Sequence, residues 1–310
     1  MRIVFFGSSQ FAVPCLKAIT EARHQILAVV TATDKKAGRG LKLCRTKIKD
    51  LCLEKNFYIL QPQNPNKDKA FVNTLRELKA DAFVVVSYGC ILSEDILGIP
   101  HFFAINLHPS LLPKYRGAAP INWAIINGEQ KTGISVIKMT KKIDAGPIIY
   151  QQEEEISRED TIFSLGERLS QEGALAVVKT LSLIENGKIT FKAQEEEKVS
   201  FAPRLKKEDS RIDFNLPALN LHNIIRGMLN WPVAFTFFKN KRIELLISDY
   251  EEKKANCPAS QIIEIAGEYI KISTGDGILI VKKVKPEGKR EMPVCDFARG
   301  HGMKEGDKFD

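Results

Sequence analysis

Short apolar runs alternate with stretches of helical period through the first 150 residues. Arg2–Phe6, Ile26–Thr31, Ala82–Ser87, Phe102–Leu107 and Ile134–Met139 are rich in Val, Ile and Phe and end at turn residues. Strands buried on both faces read this way. Helical patterns fall between them at Ala12–Ala22, Thr46–Lys55, Lys67–Leu78 and Ala119–Asn127. The alternation predicts an α/β fold built on a parallel sheet with right-handed crossovers. A longer amphipathic run, Thr161–Ile184, stops at Asn186-Gly187, a helix-ending pair.

Beyond Pro203 the pattern changes. The charged and polar stretch 204–213 reads as a linker. After a helical run at His222–Leu229 come five short strand patterns: Val233–Phe238, Lys241–Ile247, Ser260–Ile265, Glu268–Ser273 and Gly277–Val284. Even spacing and tight turns predict a small β-barrel over 214–310. The expected organisation is therefore a domain over 1–203, a linker over 204–213 and a barrel over 214–310. The length of 310 residues, at roughly 150 per domain, agrees with two domains.

Composition narrows the class. Hydrophobic residues make up 44% and charged residues 27%, ordinary for a soluble globular chain. No window approaches the length and apolarity of a membrane-spanning helix, so no membrane partner is expected. Met1–Gly7 runs straight into a strand pattern without a signal peptide. That points to a cytoplasmic protein, or an organellar one without its transit peptide. Six cysteines without a C-x-x-C pair argue for reduced thiols, and five histidines without ligand spacing argue against a metal site.

The net charge of +8 is unevenly spread. Residues 1–150 hold 21 Lys and Arg against 11 Asp and Glu, whereas 151–203 hold 6 against 11. The stretch from Lys35 to Lys49 contains seven basic residues and no acid. Such a run serves either as a solvated loop or as a contact for a phosphate backbone.

Candidate chemistry concentrates in Ile105-Asn106-Leu107-His108-Pro109-Ser110-Leu111-Leu112-Pro113-Lys114-Tyr115-Arg116-Gly117. A buried strand carries Asn106 and His108 on one face by its period of two. Asn offers an amide donor, and His a proton donor or acceptor near neutral pH. Asp144, before a glycine turn after the next strand, supplies a carboxylate to orient the His. Donor, His and carboxylate together suit acyl-type transfer. By contrast, the turn Gly7-Ser8-Ser9-Gln10-Phe11-Ala12 lacks the glycines of a dinucleotide fingerprint, and Asp34 reads as a turn former.

The pattern Asn-x-His-x-Ser-Leu-Leu-Pro-x-Tyr-Arg-Gly, followed by Asp144-Ala145-Gly146, resembles the signature of the folate-dependent formyltransferases. The resemblance extends along nearly the whole chain, through Gly7–Ala12, Ala37–Gly40, Tyr88–Leu92, Ala202–Leu205, Ile212–Phe214, Asn230–Pro232 and Thr274–Leu279. Ser9 and Ser93 stand where proline is common in that family, and neither carries a proposed chemical group.

The resemblance implies a Rossmann-like, mostly parallel catalytic domain and an OB-like C-terminal barrel that binds tRNA. It implies 10-formyltetrahydrofolate as formyl donor and the α-amine of methionyl initiator tRNA as acceptor. By position, Asn106 would hold the oxyanion of a tetrahedral intermediate, His108 would shuttle a proton, and Asp144 would orient His108. Tyr88, Gly89, Cys90, Ile91 and Leu92, with Ser110, Leu111, Leu112 and Pro113, would line the folate pocket. Arg39 would read the tRNA acceptor arm, with Lys35, Lys36, Lys42, Arg45 and Lys47 beside it on the phosphates. A monomer without metal is expected.

Three other readings share these residues: a formyltransferase for a nucleotide-linked amino sugar, a formyltetrahydrofolate hydrolase, and a non-catalytic RNA binder on the same scaffold. The basic run favours a tRNA acceptor over a small amine, and the intact trio favours an enzyme over a binder.

Overall fold

The computed structural model describes residues 1–37 and 42–310. It divides into two compact units. The first comprises Met1–Pro120, Lys131–Glu155 and Gly166–Ala202; the second comprises Ile121–Gln130, Ile156–Leu165 and Pro203–Asp310.

In chain order the first elements are β1 (Arg2–Gly7), α1 (Val13–Glu21), β2 (Gln25–Val30), β3 (Lys35–Ala37), β4 (Lys42–Cys44), α2 (Lys47–Lys55) and β5 (Ile59–Leu60). There follow α3 (Lys69–Glu77), β6 (Ala82–Val86), α4 (Glu94–Leu97), β7 (Phe103–His108), β8 (Arg116–Gly117) and α5 (Pro120–Ile126). Then come β9 (Lys131–Lys138), β10 (Ile148–Glu155), α6 (Ile162–Glu185) and β11 (Phe201–Ala202).

The first unit is built on a seven-stranded sheet in the order β10-β9-β7-β6-β1-β2-β5. Five strands, β7 to β5 across the sheet, run parallel. Their helices use local signals. Thr46 and Asp68 cap α2 and α3 through their side chains, and Asn56 ends α2 in a left-handed turn. Alternate residues of the central strands, Val4, Phe6, Phe83, Val85 and Ala104, share one core cluster with Phe71, Tyr88 and Leu92.

The sheet is mostly parallel as expected, and one of the five strands read in the sequence departs from the parallel run. β9, expected over Ile134–Met139, runs antiparallel, with Ser135 opposite His108 and Lys138 opposite Ile105. It enters beside β7 from the His108 end, so no crossover to the far edge is made. A buried Val/Ile run has the same pattern in either direction. Strand β10 escaped the sequence reading because Ile148–Glu155 is a mostly polar edge strand in which only Ile148 is buried and the alternate positions 152 and 154 are half-buried.

The second unit carries α7 (Ala218–Gly227), β12 (Phe235–Phe238), β13 (Lys241–Glu251), β14 (Ile262–Ile265), β15 (Ile270–Ser273), β16 (Ile278–Pro286), β17 (Met292–Pro293) and α8 (Val294–Gly300). Its antiparallel sheet, β12-β13-β16-β15-β14 with β17 on β16, curls into a half-barrel. The edges β12 and β14 do not pair. The C-terminal residues span them: Ile262 N–H donates to the Asp307 carbonyl, Phe309 N–H to Ser260 and Asp310 N–H to Phe237. Phe309 is thereby buried against Phe214 and Phe238.

The stretch expected as a linker, 204–213, packs at its end. Ile212 N–H donates to the Phe235 carbonyl on the edge of β12, and Ser210, Ile212 and Phe214 are buried at alternate positions. Period-two burial inside a polar stretch explains why composition alone reads as a loop.

His222 on α7 is buried. Its Nε2 faces the Arg158 carbonyl at 3.3 Å and its Nδ1 faces Ser248 Oγ at 3.0 Å. Arg226, Arg158 and Asp249 are the charges around it, and burial holds its pKa below the ordinary 6.5. The unfolded chain therefore binds this proton more readily than the native one. The stabilising contribution is complete above 6.5 and declines as pH falls through 6.5 toward the lowered native value. We expect the urea midpoint of the wild type to drop between pH 7.5 and pH 5.5, and that drop to be smaller in His222→Gln. Equal drops in both proteins would exclude His222 as the group responsible.

Candidate active site

Strand β7 has two different faces. Ile105 and Leu107 point toward α6, where Gly173 lies so close to Leu107 that a Cβ would come within 2.6 Å of it. On the opposite face Ala104 joins the core, and the next two positions are Asn106 and His108. An apolar face thus turns polar after one residue, on a strand whose backbone is hydrogen-bonded on both sides.

Asp144 reaches this face from the loop between β9 and β10, which doubles back along β7. Its Oδ1 lies 3.5 Å from Asn106 Nδ2, at the limit of a hydrogen bond. Its Oδ2 accepts the Gly117 N–H at 2.9 Å and lies 3.6 Å from His108 Nδ1. The three residues singled out by the sequence therefore converge. Each side chain of the trio is largely shielded from water, and His108 is buried.

His108 is fixed from its other side as well. Its Nε2 lies 2.9 Å from the Tyr115 carbonyl, an acceptor, so Nε2 carries the proton in this bond. Tyr115 and Asp144 both adopt left-handed backbone, at φ 61° and 51°. Non-glycine residues held there store about 1–3 kcal/mol each and persist only where neighbours over-determine them. Two glycines permit the close approach: a Cβ on Gly146 would collide with the Lys138 carbonyl, and one on Gly117 would come within 2.6 Å of the Ala202 carbonyl.

The surrounding loops are tied together. Ser8 Oγ, after β1, accepts the Ala32 N–H at 3.0 Å and donates to the Tyr88 carbonyl at 3.4 Å, joining the carboxyl ends of β1, β2 and β6. Tyr88 and Leu92 pack inward, and burial pushes the Tyr88 phenol pKa up. Gly89, Cys90 and Ile91 face outward, their loop pinned by Asn66 bonds to the Ile91 carbonyl and the Ser93 N–H. Ser110 is buried and donates to the Lys114 carbonyl, while Leu112 packs with Ile137 and Ile148. Both side chains turn inward, whereas Leu111 and Pro113 remain partly exposed.

The basic run forms a hairpin, with Lys35 opposite Cys44 and Ala37 opposite Lys42. Lys35, Arg45 and Lys47 are exposed. Arg39, and the side chains of Lys36 and Lys42, lie outside the described residues. Lys49 is paired with Asp34 at 2.7 Å, and that hydrogen bond, with a second from Gln61, holds Asp34 below the usual carboxylate range. Asp34 is thus a local structural acid. Among the described residues no group of His, Cys, Asp and Glu converges as metal ligands would. No helix among them is long and apolar enough to cross a membrane.

Family models match the chain over both units' main segments: the formyl transferase model covers residues 1–181, and the formyl transferase C-terminal domain model covers 204–302. The chain belongs to the formyl transferase family. It is 39% identical over 306 residues to the methionyl-tRNA formyltransferase of Caldanaerobacter subterraneus subsp. tengcongensis, covering 99% of each chain. To the methionyl-tRNA formyltransferase of Fusobacterium nucleatum it is 41% identical over 313 residues, covering 100% of each. In structure it is similar to WlaRD, a sugar 3N-formyl transferase, with a TM-score of 0.68 at 21% identity, over 94% of this chain and 99% of that one.

For a formyl transferase, this arrangement offers an amide donor beside a carboxylate-facing imidazole. One N–H of Asn106 points at Asp144, which leaves the other to meet developing negative charge. Tyr115, Arg116, Gln194 and Ser200 all touch the trio's supports, and none had a role assigned from the sequence. Tyr115 and Arg116 were visible in the motif. Gln194 lies among charged residues with no local pattern to mark it.

In Asp144→Asn the side chain keeps its size and can still accept from Gly117, but the charge opposite His108 is lost. We expect a melting temperature near wild type and a kcat for formyl transfer lower by up to about 10⁴-fold, as when a buried acid orienting a histidine is made neutral. A variant that unfolds instead would make Asp144 a structural residue only.

Proposed function

We propose that this chain transfers the formyl group of 10-formyltetrahydrofolate to the α-amine of methionyl initiator tRNA. We read it as acting as a cytoplasmic monomer, with a first unit that carries the chemistry and a C-terminal barrel that helps hold the tRNA. The observation that carries this reading is the convergence of Asn106, His108 and Asp144 on the polar face of β7. Near 40% identity to methionyl-tRNA formyltransferases along the full length supports the choice of acceptor.

The chemistry asks for two things. A C–N bond forms between the amine and the formyl carbon while the bond from that carbon to the donor nitrogen breaks. The amine loses a proton and the donor nitrogen gains one. An α-amine with an ordinary pKa of about 8 is neutral often enough near pH 7 to attack unaided. The barrier lies in the anionic carbonyl oxygen and in the proton transfer.

Asn106 donates to that oxygen through the N–H not directed at Asp144. His108 relays the proton, and Asp144 stabilises the ring when charged. The outward strip Gly89–Ile91, with Leu111 and Pro113, provides the apolar and backbone surface suited to a flat pterin. Lys35, Arg45 and Lys47 on the hairpin provide exposed charge for tRNA phosphates.

The deciding experiment supplies 10-formyltetrahydrofolate with methionyl initiator tRNA, with uncharged tRNA and water as blank acceptors. Formylmethionine should form only with the charged tRNA. Folate turnover without formylated tRNA would assign the acceptor to a small amine or to water. In Asn106→Ala, transition-state stabilisation should fall by about 2.7–4 kcal/mol, roughly 10²–10³-fold in kcat. An unchanged rate would remove Asn106 from the mechanism.

Binding should also weaken with salt. Replacing Lys35, Arg45 and Lys47 together by Ala should flatten the log–log salt slope by about 0.9 for each phosphate no longer neutralised, taking the B-DNA coefficient as the order for RNA. A slope that survives the triple change would place the tRNA elsewhere.

A further inference from the structure

The segment from Lys192 to Ala202 runs as a strap across the supports of the trio. Lys192 pairs with Ile148, and Phe201 and Ala202 pair in parallel with Arg116 and Gly117. Between these anchors two side chains turn inward. Gln194 is half-buried while its neighbours from Phe191 to Lys198 are exposed. Its Nε2 lies 2.8 Å from the Asp144 carbonyl and 2.8 Å from the Gly146 carbonyl. Its Oε1 accepts Arg116 Nε at 2.9 Å and Nη2 at 2.8 Å. Ser200 Oγ accepts the Tyr115 N–H at 2.9 Å, and the Ser200 carbonyl accepts the Arg116 N–H.

We propose that Gln194 and Ser200 are positioning residues for formyl transfer: Gln194 sets the Asp144 loop, and Ser200 sets the Tyr115 carbonyl that holds His108. This rests on the catalytic reading of the trio given above.

Donors and acceptors fix these roles. Asp144 and Tyr115 occupy left-handed backbone, which needs fixing from outside. The Asp144 and Gly146 carbonyls require a donor, and Arg116 requires an acceptor. A primary amide meets both demands at once, both its protons on the carbonyls and its oxygen on the guanidinium. A carboxylate of equal size meets only the second, and it would set negative oxygens against two carbonyls. The amide orientation is therefore dictated by its partners. Arg116 itself is buried and also pairs with Glu196 at 3.0 Å, which holds the fork that aims Gln194. These contacts reach the trio through the Asp144 loop and the Tyr115 backbone, so the effect on chemistry runs through Asp144 and His108.

The test uses the full chain labelled with ¹⁵N-histidine and the variants Gln194→Glu, Gln194→Ala and Ser200→Ala. Without any substrate, the His108 ring signals should move in all three, with the melting temperature near wild type. In turnover, Gln194→Glu should lose roughly 10–100-fold in kcat with KM near wild type, the scale of a misplaced outer-shell partner. In an Asp144→Asn background the same change should add little, because both act on one element. Wild-type behaviour of Gln194→Glu, or an additive loss with unmoved ring signals, would overturn the proposal. If a Gln194 variant fails to fold, Ser200→Ala decides through the His108 signals alone. A wild-type protein that formylates no tRNA would overturn the function proposed above, while the ring signals still judge the strap.

Discussion

The first unit is organised around one carboxylate held inside a protein surface. A charge at Asp144 has lost most of its water, and it is tolerable only where donors replace that water. The Gly117 N–H and the Asn106 amide do so, with the His108 ring facing the same oxygen pair. Much follows from that requirement. Gly117 must sit where its amide can reach, so it adopts φ 128° and lies against the Ala202 carbonyl. Gly146 must let the loop cross Lys138. Tyr115 must turn left-handed to present its carbonyl to His108 while its own amide meets Ser200. The short pair β8 and β11 ties Arg116 and Gly117 to Phe201 and Ala202.

The sheet makes the arrangement possible by dividing the roles of β7. Its Ile105 and Leu107 face is fully apolar and is packed by α6, so the strand cannot shift or rotate without opening the core. The other face is then free to be polar at two successive positions. Placing antiparallel β9 next to β7 adds a second benefit. It brings Ser135 opposite His108, where its hydroxyl donates to the Ser110 carbonyl and accepts from Leu112 and Gln151. The loop after β9 leaves at the Ile105 end and folds back, with the Lys138 N–H donating to the Pro147 carbonyl, and this return carries Asp144 up to Asn106 and His108.

The parts of this structure that were legible in the sequence are those with local signals. Five central strands, the capped helices and the barrel strands follow from period and turn chemistry, and Asn106 with His108 follows from a period of two. Direction is not local: the Val/Ile run of β9 reads alike whichever way it points. Nor is an edge strand such as β10, whose polar face hides it. The packed end of 204–213 was missed because Ile212 and Phe214 are only two apolar positions among charges. Asp144 was found by its glycine turn, whereas Gln194 and Ser200 were not, because their partners are backbone groups some 50 and 85 residues away in the chain. A side chain chosen to satisfy a distant carbonyl leaves no periodic trace.

Charge placement completes the picture. The strap that carries Gln194 is acidic, with Glu195, Glu196 and Glu197 in succession. Glu195 pairs with Lys198 and Glu196 with Arg116, and each pairing lowers the carboxyl below its ordinary range. Both acids stay exposed, and the position that turns toward Asp144 is the neutral amide. Were a carboxylate at 194 instead, its oxygens would meet the Asp144 and Gly146 carbonyls with no proton between them. The neutral amide at 194, amid three glutamates, thus meets the two carbonyls of the Asp144 loop with protons and Arg116 with its oxygen, a pair of demands no carboxylate at that position could fill.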